Sequence, residues 1–438
     1  MSSLRTDPLQ LWQQITQAGG VQAYINAQLQ ERGFLVERSD VEQMTDREKD
    51  RYKKELKKEA VERVKLRKET WVAYRAANIV YLGEGVYWSD TATPDKWDTP
   101  KSEERIAEND LPVLDSPKQL AEALGLSIAE LRAMAFHRDA TTMIHYRRFT
   151  IPKRDGTERP IWAPLPKLKA AQRWILRNIV ERLPVHGAAQ GFLAGRSIAT
   201  NAEVHKDSRI IIKMDVKEFF PTVTWRRVRG IFRRAGYREQ LSTLLALLCT
   251  EAPREIVNLE GKTYYVSLGA RCLPQGAPTS PALTNALCLR LDRRLTALAK
   301  KLGWRYSRYA DDLTFSVPNN APAPPAPPLL VRMVTKIAAS EGFAIKAEKT
   351  RTLRTGTRQS VTGLIVNGSE PVRVPREMKR MMRAAIYNLK RGKPLPEGES
   401  MARLHGFAAY IAMTDPKLGK QYLEELSSLA ESSQDSRS

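Results

Sequence analysis

The stretch Trp304-Arg305-Tyr306-Ser307-Arg308-Tyr309-Ala310-Asp311-Asp312-Leu313-Thr314-Phe315-Ser316-Val317 sets two adjacent carboxylates between two short runs of alternating, β-prone residues. Such runs suit a pleated, half-buried surface, so the pattern predicts a tight hairpin whose tip presents both acids. Like charges side by side repel, and the arrangement costs stability unless a cation sits between them. Oxygen ligands of this kind suit a hard divalent ion.

A lone Asp-Asp pair is common in surface turns, so the hairpin gains meaning only with a further acid. Ile210-Ile211-Ile212-Lys213-Met214-Asp215-Val216 reads as a buried strand ending in a carboxylate, where an unpaired charge would be expensive. Brought beside Asp311 and Asp312, Asp215 completes a three-acid set for two Mg²⁺ ions about 3.5–4 Å apart.

The chain has 438 residues, enough for two or three domains. Its 71 Lys and Arg against 49 Asp and Glu give a net charge of +22, a field that attracts polyanions, nucleic acid first. No run of 18 apolar residues is present and the start lacks a signal segment, so a cytoplasmic protein with no membrane span is expected. Cys249, Cys272 and Cys288 form no close-spaced pair and read as buried thiols.

Residues 1–37 show helical spacing, with Leu9, Trp12 and Ile15, then Val21, Tyr24 and Ile25. Thr45 with Glu48 has the form of a capping box opening a long charged helix that ends before Gly83. Tyr52, Leu56, Ala60 and Val64 are its expected packing stripe, and its charges read as a solvated face. A loop with Gly83, Gly85, Pro94 and Pro100 follows, and a boundary is placed near residue 110. Ser116-Pro117, Gly125 and the Ser127/Glu130 pair delimit two short helices within 116–138, read as a packed brace. Residues 320–328, NAPAPPAPP, read as a semi-rigid loop. Beyond Pro375 the chain is helical and basic with a Met378, Met381, Met382, Ile386, Leu389 stripe, and residues 427–438 read as a disordered tail.

Three more segments suit a nucleotide near the acids. Residues 151–161 read as two strands joined by a turn at Asp155-Gly156, with Lys153 and Arg159 placed to neutralise a triphosphate. Leu273-Pro274-Gln275-Gly276 opens a loop in which Gly276 permits close backbone approach. Phe220, five residues after Asp215, is bulky enough to block a ribose 2′-hydroxyl, and it would look the same as a core ring.

In this order the segments resemble the blocks of a reverse transcriptase, from about His145 to Asn367. Tyr309-Ala310-Asp311-Asp312 is similar to the YxDD box, and LPQG at Leu273 to Gly276 is a family feature. Asn201-Ala202-Glu203-Val204-His205 resembles the NAxxH box of bacterial retrons, and Val361-Thr362-Gly363 their VTG box. QGAPTSPALTN at Gln275 to Asn285 has the retron wording.

The resemblance implies an α+β right-hand polymerase. It places fingers and palm at 111–370, the palm being an antiparallel sheet carrying the YADD hairpin, and a helical thumb at 371–426; the helical N-terminal extension at 1–110 departs from the compact members of the family. It implies that Asp215, Asp311 and Asp312 hold two Mg²⁺ ions, with the Val216 carbonyl as a further ligand. Lys153 and Arg159 would contact the deoxynucleoside triphosphate, Gln275 would line its pocket, Phe220 would gate the sugar, and Lys349 would assist pyrophosphate departure. Asn201, His205, Val361, Thr362 and Gly363 would contact a cognate noncoding RNA. Such enzymes prime from a 2′-hydroxyl of that RNA and leave a branched RNA–DNA hybrid. They act in phage defence with an effector protein, and with no RNase H block here, template removal falls to a separate RNase H. Two alternatives stay open: another bacterial reverse transcriptase, of group II intron or abortive-infection type, and a non-catalytic nucleic-acid-binding scaffold, which the three acids oppose. Residues 1–110 receive no chemistry.

Overall fold

The computed structural model describes residues 7–41, 44–83, 86–89, 100–153, 156–322, 326–396 and 398–435. Gly85, Pro94, Asp155 and the end of the expected tail lie outside them. The first elements are α1 (Pro8–Gln17), α2 (Val21–Glu31), α3 (Asp46–Asn78), β1 (Ile79–Gly83) and β2 (Val86–Ser89). Next come α4 (Ser102–Glu108), α5 (Pro117–Leu124), α6 (Ile128–Ala135) and the short β3 (Ala140–Thr141). The middle holds β4 (Tyr146–Pro152), β5 (Glu158–Pro164), α7 (Pro166–Asn178), α8 (Ile198–Glu203) and β6 (Ser208–Val216). It continues with α9 (Trp225–Ala235), α10 (Glu239–Cys249), β7 (Arg254–Leu259), β8 (Lys262–Ser267), α11 (Ser280–Leu287) and α12 (Leu289–Lys301). Then follow β9 (Arg305–Tyr309), β10 (Asp312–Pro318), α13 (Pro327–Ser340), β11 (Ile345–Arg354), β12 (Ser360–Val361) and β13 (Leu364–Ile365). Helices α14 (Arg376–Lys390), α15 (Met401–Ala412) and α16 (Pro416–Asp435) end the chain.

Two compact units form, and they do not divide near residue 110. One contains residues 1–98, 114–141 and 238–244; the other contains 99–113, 142–237 and 245–438. Hydrogen bonds explain the interleaving. His137 N–H donates to Leu82 O within the first unit, while Ser102 Oγ donates to Gly236 O and Tyr237 Oη to Pro112 O within the second.

In the first unit Ile25, Leu29 and Leu66 form a small core with Phe34. Thr45 N–H and Oγ1 both donate to Glu48, at 2.8 and 2.7 Å, and so start α3. The inward face of α3 differs from expectation. Glu59, Leu66, Thr70 and Ala73 are buried, whereas Ala60 and Val64 are exposed. Glu59 turns inward because Arg38 and Arg63 pair with it at 3.0 and 2.7 Å. The helix also stops at Asn78, because the β-prone run Ile79-Val80-Tyr81 pairs with β2, Ile79 opposite Ser89. The N-terminal region is therefore not wholly helical. Helices α5 and α6 start at Ser116 and at the Ser127/Glu130 capping box, as read from the sequence.

The second unit is organised on an antiparallel sheet of order β11-β6-β10-β9. Its centre is apolar, with Ile211, Ile212, Leu313, Phe315 and Val317 fully buried. The proline-rich loop is shorter than expected: Pro327 and Pro328 form the first turn of α13, where a missing N–H costs nothing. Helices α14–α16 share a core of Met382, Ile386, Leu404, Ile411 and Leu426 with β12 and β13. Helix α16 runs to Asp435, through residues expected to be disordered, because Leu429 packs one turn beyond buried Leu426. Cys249, Cys272 and Cys288 are buried, and burial pushes their thiols up to about 12, 11 and 12.

Candidate active site

Strands β9 and β10 pair Tyr309 with Asp312, leaving Ala310 and Asp311 as the hairpin tip, with Ala310 at φ 54°. On its other side β10 pairs with β6, and Asp312 lies directly opposite Asp215. Val216 N–H donates to Asp311 O at 3.0 Å and binds the tip to the end of β6. Register thus brings Asp215 beside Asp311 and Asp312, which lie about a hundred residues further along the chain.

Their charges are strained by that gathering. Burial, with Asp215 beside it, raises the pKa of Asp311, although its own N–H, Lys346 and Arg159 pull the other way. Burial and the neighbouring Asp311 raise Asp312 to about 6, against Lys213 and Lys349. A group held partly protonated this way is poised to gain from a bound cation.

Strand β11 supplies positive charge. Lys346 pairs with Asp215 in register, and then the next pair is Arg351 with Lys213, so residues 347–350 form a bulge. Lys346 Nζ is 2.5 Å from Asp215 Oδ1, and Lys349, on the bulge, is 3.9 Å from Oδ2. Burial works against the Lys346 charge, but Asp215 outweighs it and raises the pKa. Asp215 Oδ1 is buried, and the Lys346 ammonium occupies the position beside it. An open cleft is lined by Lys213, Met214, Asp215, Asp312, Lys349 and Arg351. Among the described residues no three acids, histidines or cysteines converge tightly enough to hold one ion. The three-acid set is assembled by register without being closed into a ligand cage: Asp215 and Asp312 pair across β6 and β10, and Asp311 stands at the adjoining tip. The oxygen donors fit a hard divalent ion.

The hairpin is anchored from below by residues that the sequence reading passed over. Arg308 and Asp292 are fully buried and paired at 2.7 Å, with Tyr306 Oη donating to Asp292 at 2.8 Å. Arg308 also donates to Asn285 Oδ1 and to Ala310 O, and Asn285 donates to Gly191 O. A Cβ on Gly191 would lie 2.9 Å from Ala310 N, so only glycine lets this backbone lie against the tip. An arginine inside an alternating strand was the signal available, because a charge there demands a buried partner.

The nucleotide-facing segments are partly rearranged. Gly276, at φ 122°, lies against β5, where a Cβ would meet Ile161 Cγ2 at 2.7 Å and Trp162 O at 2.8 Å. Gln275 O accepts the Trp162 N–H at 2.7 Å. The close approach that Gly276 permits is therefore to the β4–β5 hairpin. Lys153 N–H donates to Thr157 O and Gly156 N–H to Lys153 O between β4 and β5, while the expected turn residue Asp155 lies outside the described residues. Lys153 and Arg159 are exposed, and the Arg159 charge acts on Asp311. Phe220 is half-buried and lies 6.5 Å from Phe192, which is 6.4 Å from Tyr309. Phe192, at φ 62°, was not foreseen.

The retron-like motifs need correction. Asn201 and His205 are fully buried, so neither is available for direct RNA contact. His205 bridges Ser316 Oγ at 2.8 Å and Ser307 Oγ at 2.7 Å, and Ser307 donates to Asn201 Oδ1 at 2.6 Å. Burial, with Arg305 near, lowers His205 to about 3 and keeps it neutral. These side chains serve the underside of β9 and β10. Val361 is also fully buried. Thr362 and Gly363, at φ 46° and 86°, form a two-residue hairpin turn, and Thr362 Oγ1 donates to Ile198 O at the start of α8. The two motifs thus meet in space, and of the five residues expected to contact RNA only Thr362 and Gly363 reach the surface.

Comparison with known proteins agrees with this geometry. The family model described as reverse transcriptase (RNA-dependent DNA polymerase) matches residues 151–374. The retron Mx162 reverse transcriptase of Myxococcus xanthus is 51% identical over 95% of this chain and 88% of its own length. The retron Mx65 reverse transcriptase of the same organism is 42% identical over 72% of each chain. The retron Ec86 reverse transcriptase of Escherichia coli is 31% identical over 74% of this chain and 92% of its own.

Proposed function

The chain belongs to the retron reverse transcriptases and is an RNA-directed DNA polymerase, and from that premise we propose that it copies part of a cognate structured noncoding RNA into single-stranded DNA. Priming is from a 2′-hydroxyl of that RNA, and the product is a branched RNA–DNA hybrid. The observation that carries the chemistry is the register pair Asp215–Asp312 with Asp311 at the adjoining tip. In right-hand terms the β4–β5 hairpin belongs to the fingers, the four-stranded sheet is the palm, and α14–α16 form the thumb.

Asp215, Asp311, Asp312 and the Val216 carbonyl are the proposed holders of two Mg²⁺ ions. Once bound, these would lower the pKa of the attacking hydroxyl and neutralise the phosphates. The protein's own part is positional. Lys153 and Arg159 draw in the triphosphate, and Gln275 lines the deoxynucleotide pocket. Phe220, buttressed by Phe192, stands where a ribose 2′-hydroxyl would clash. Lys349, on the β11 bulge, offers its ammonium to the departing pyrophosphate. Thr362 and Gly363 offer a surface turn to the RNA. A cytoplasmic location, an effector protein, a separate RNase H and a role in phage defence complete the proposal.

The test is expression with the DNA flanking the gene, then isolation of small DNA. A DNA that is released from RNA only by a 2′,5′-debranching enzyme is the expected product. Asp311→Asn with Asp312→Asn should abolish Mg²⁺-dependent extension while RNA binding persists. Extension at the wild-type rate would sink the catalytic assignment, and a linear product would sink the priming assignment.

A further inference from the structure

Helix α3 has a second face that the polymerase site does not use. From Lys53 to Val72, about 30 Å at 1.5 Å per residue, its outward side carries Lys53, Lys54, Lys57, Lys58, Lys65 and Lys68, all exposed. At 3.6 residues per turn the acids of this stretch, Glu55, Glu59, Glu62 and Glu69, fall on the buried side or its flanks. Among the described residues only Lys65 of the six has an acid partner, Glu62 at 3.6 Å. Lysines at i,i+4 and i,i+3 repel one another and weaken a helix, so this face is costly without a polyanion.

Apolar groups lie among the lysines. Val61 is 71% exposed, Val64 52%, Trp71 54% and Val72 55%. Trp71 stacks on Tyr74 at 5.5 Å and 18°, and Trp12 meets Tyr74 edge-on at 5.3 Å. One side of the indole is thus backed by the Tyr74 ring and about half of the residue stays exposed, the form of a base-stacking platform. An interfacial membrane helix would segregate its apolar residues from its lysines. Here Val61 lies between Lys54 and Lys68 on the same face, so a phosphate backbone with bases is the better match.

We propose that this face of α3 docks structured RNA, its lysines on phosphates and Trp71 on an unpaired base. The identity of the RNA as the cognate template rests on the function proposed above; the docking surface does not. The test compares the full-length protein with a Lys57→Ala, Lys58→Ala, Lys65→Ala, Lys68→Ala variant and with Trp71→Ala. Binding is measured to RNA transcribed from the DNA flanking the gene and to an unrelated hairpin RNA, between about 50 and 200 mM salt. The lysine variant should bind the flanking RNA ~10-fold or more weakly, with a log–log salt slope shallower by about 3. Trp71→Ala should weaken binding with the slope unchanged, and both variants should extend a generic primed template at the wild-type rate. Unchanged affinity and slope for both RNAs would overturn the proposal. So would loss of binding to phosphatidylserine vesicles with RNA binding intact. If the wild type binds both RNAs equally and the lysine variant weakens both, the surface stands and the cognate-template reading fails.

Discussion

Lys346 Nζ lies 2.5 Å from Asp215 Oδ1, across a register pair of β11 and β6. The ammonium stands on the oxygen that a divalent ion would claim, so loading the ion requires the lysine to release it. Lys346→Met removes that competitor and the acids' counter-charge together. The ligand-free variant should melt at a lower temperature, and Mn²⁺ alone should raise its Tm at severalfold lower concentration than in the wild type. Thermal melts across a metal titration read both effects, and an unshifted metal midpoint would show that the ammonium does not compete.

His205 and Asp312 give opposing pH dependences. His205 sits near 3 in the folded chain against an ordinary value of about 6.5. Its contribution is therefore whole above about pH 6.5 and is lost as pH falls towards 3. Asp312, raised to about 6, holds a proton that the unfolded chain releases near pH 4, so it costs stability as pH rises through that window. His205→Gln should lower stability at pH 7 and flatten the acid limb. Asp312→Asn should stabilise the metal-free protein above pH 6. Urea midpoints in chelator across this range check both signs.

Arg308→Met leaves Asp292 buried and unpaired, and should cost about 3–5 kcal/mol of stability. Adding Asp292→Leu removes the stranded charge and should restore part of that loss. A double variant no more stable than Arg308→Met would show that the pair is not coupled.

Gly191→Ala places a methyl 2.9 Å from Ala310 N, against the backbone of the hairpin tip. Extension should fall tenfold or more (about 1.4 kcal/mol of barrier) with Tm little changed. Gly187→Ala, which meets nothing within 4 Å, is the matched control. Equal activity of the two variants would exclude Gly191 as a support of the tip.

Phe220→Ala should raise ribonucleotide incorporation relative to deoxynucleotide, and Phe192→Ala should do so more weakly, because Phe192 acts through its 6.5 Å contact with Phe220. Competition between the two nucleotide types on one primed RNA gives the ratio, and an unmoved ratio in Phe220→Ala removes the gate.

The hairpin, its pairing partner β6 and the three acids were legible because strand periodicity and a costly buried carboxylate are both local signals. The β1–β2 hairpin was hidden in a helix reading because Ile79-Val80-Tyr81 continues the apolar count of α3, and only its β-branched character marks the change. Lys346 and the bulge were invisible, since nothing in Ile345-Lys346-Ala347-Glu348-Lys349 says how many residues will be looped out. Asn201 and His205 were misassigned for a related reason. Sequence reports that polar groups recur at a spacing and is silent on whether they face solvent or two serines of a neighbouring hairpin.

Those serines limit how the enzyme can be retargeted. Ser307 and Ser316 belong to the two strands of the acidic hairpin, and one imidazole is latched to both. A chimera that imports residues 196–210 from a relative brings one half of a lock and leaves the other half behind. Grafts meant to change the template should therefore carry positions 201, 205, 307 and 316 as a set, or stay with the surface turn at Thr362 and Gly363, where nothing beneath the hairpin has to be refitted.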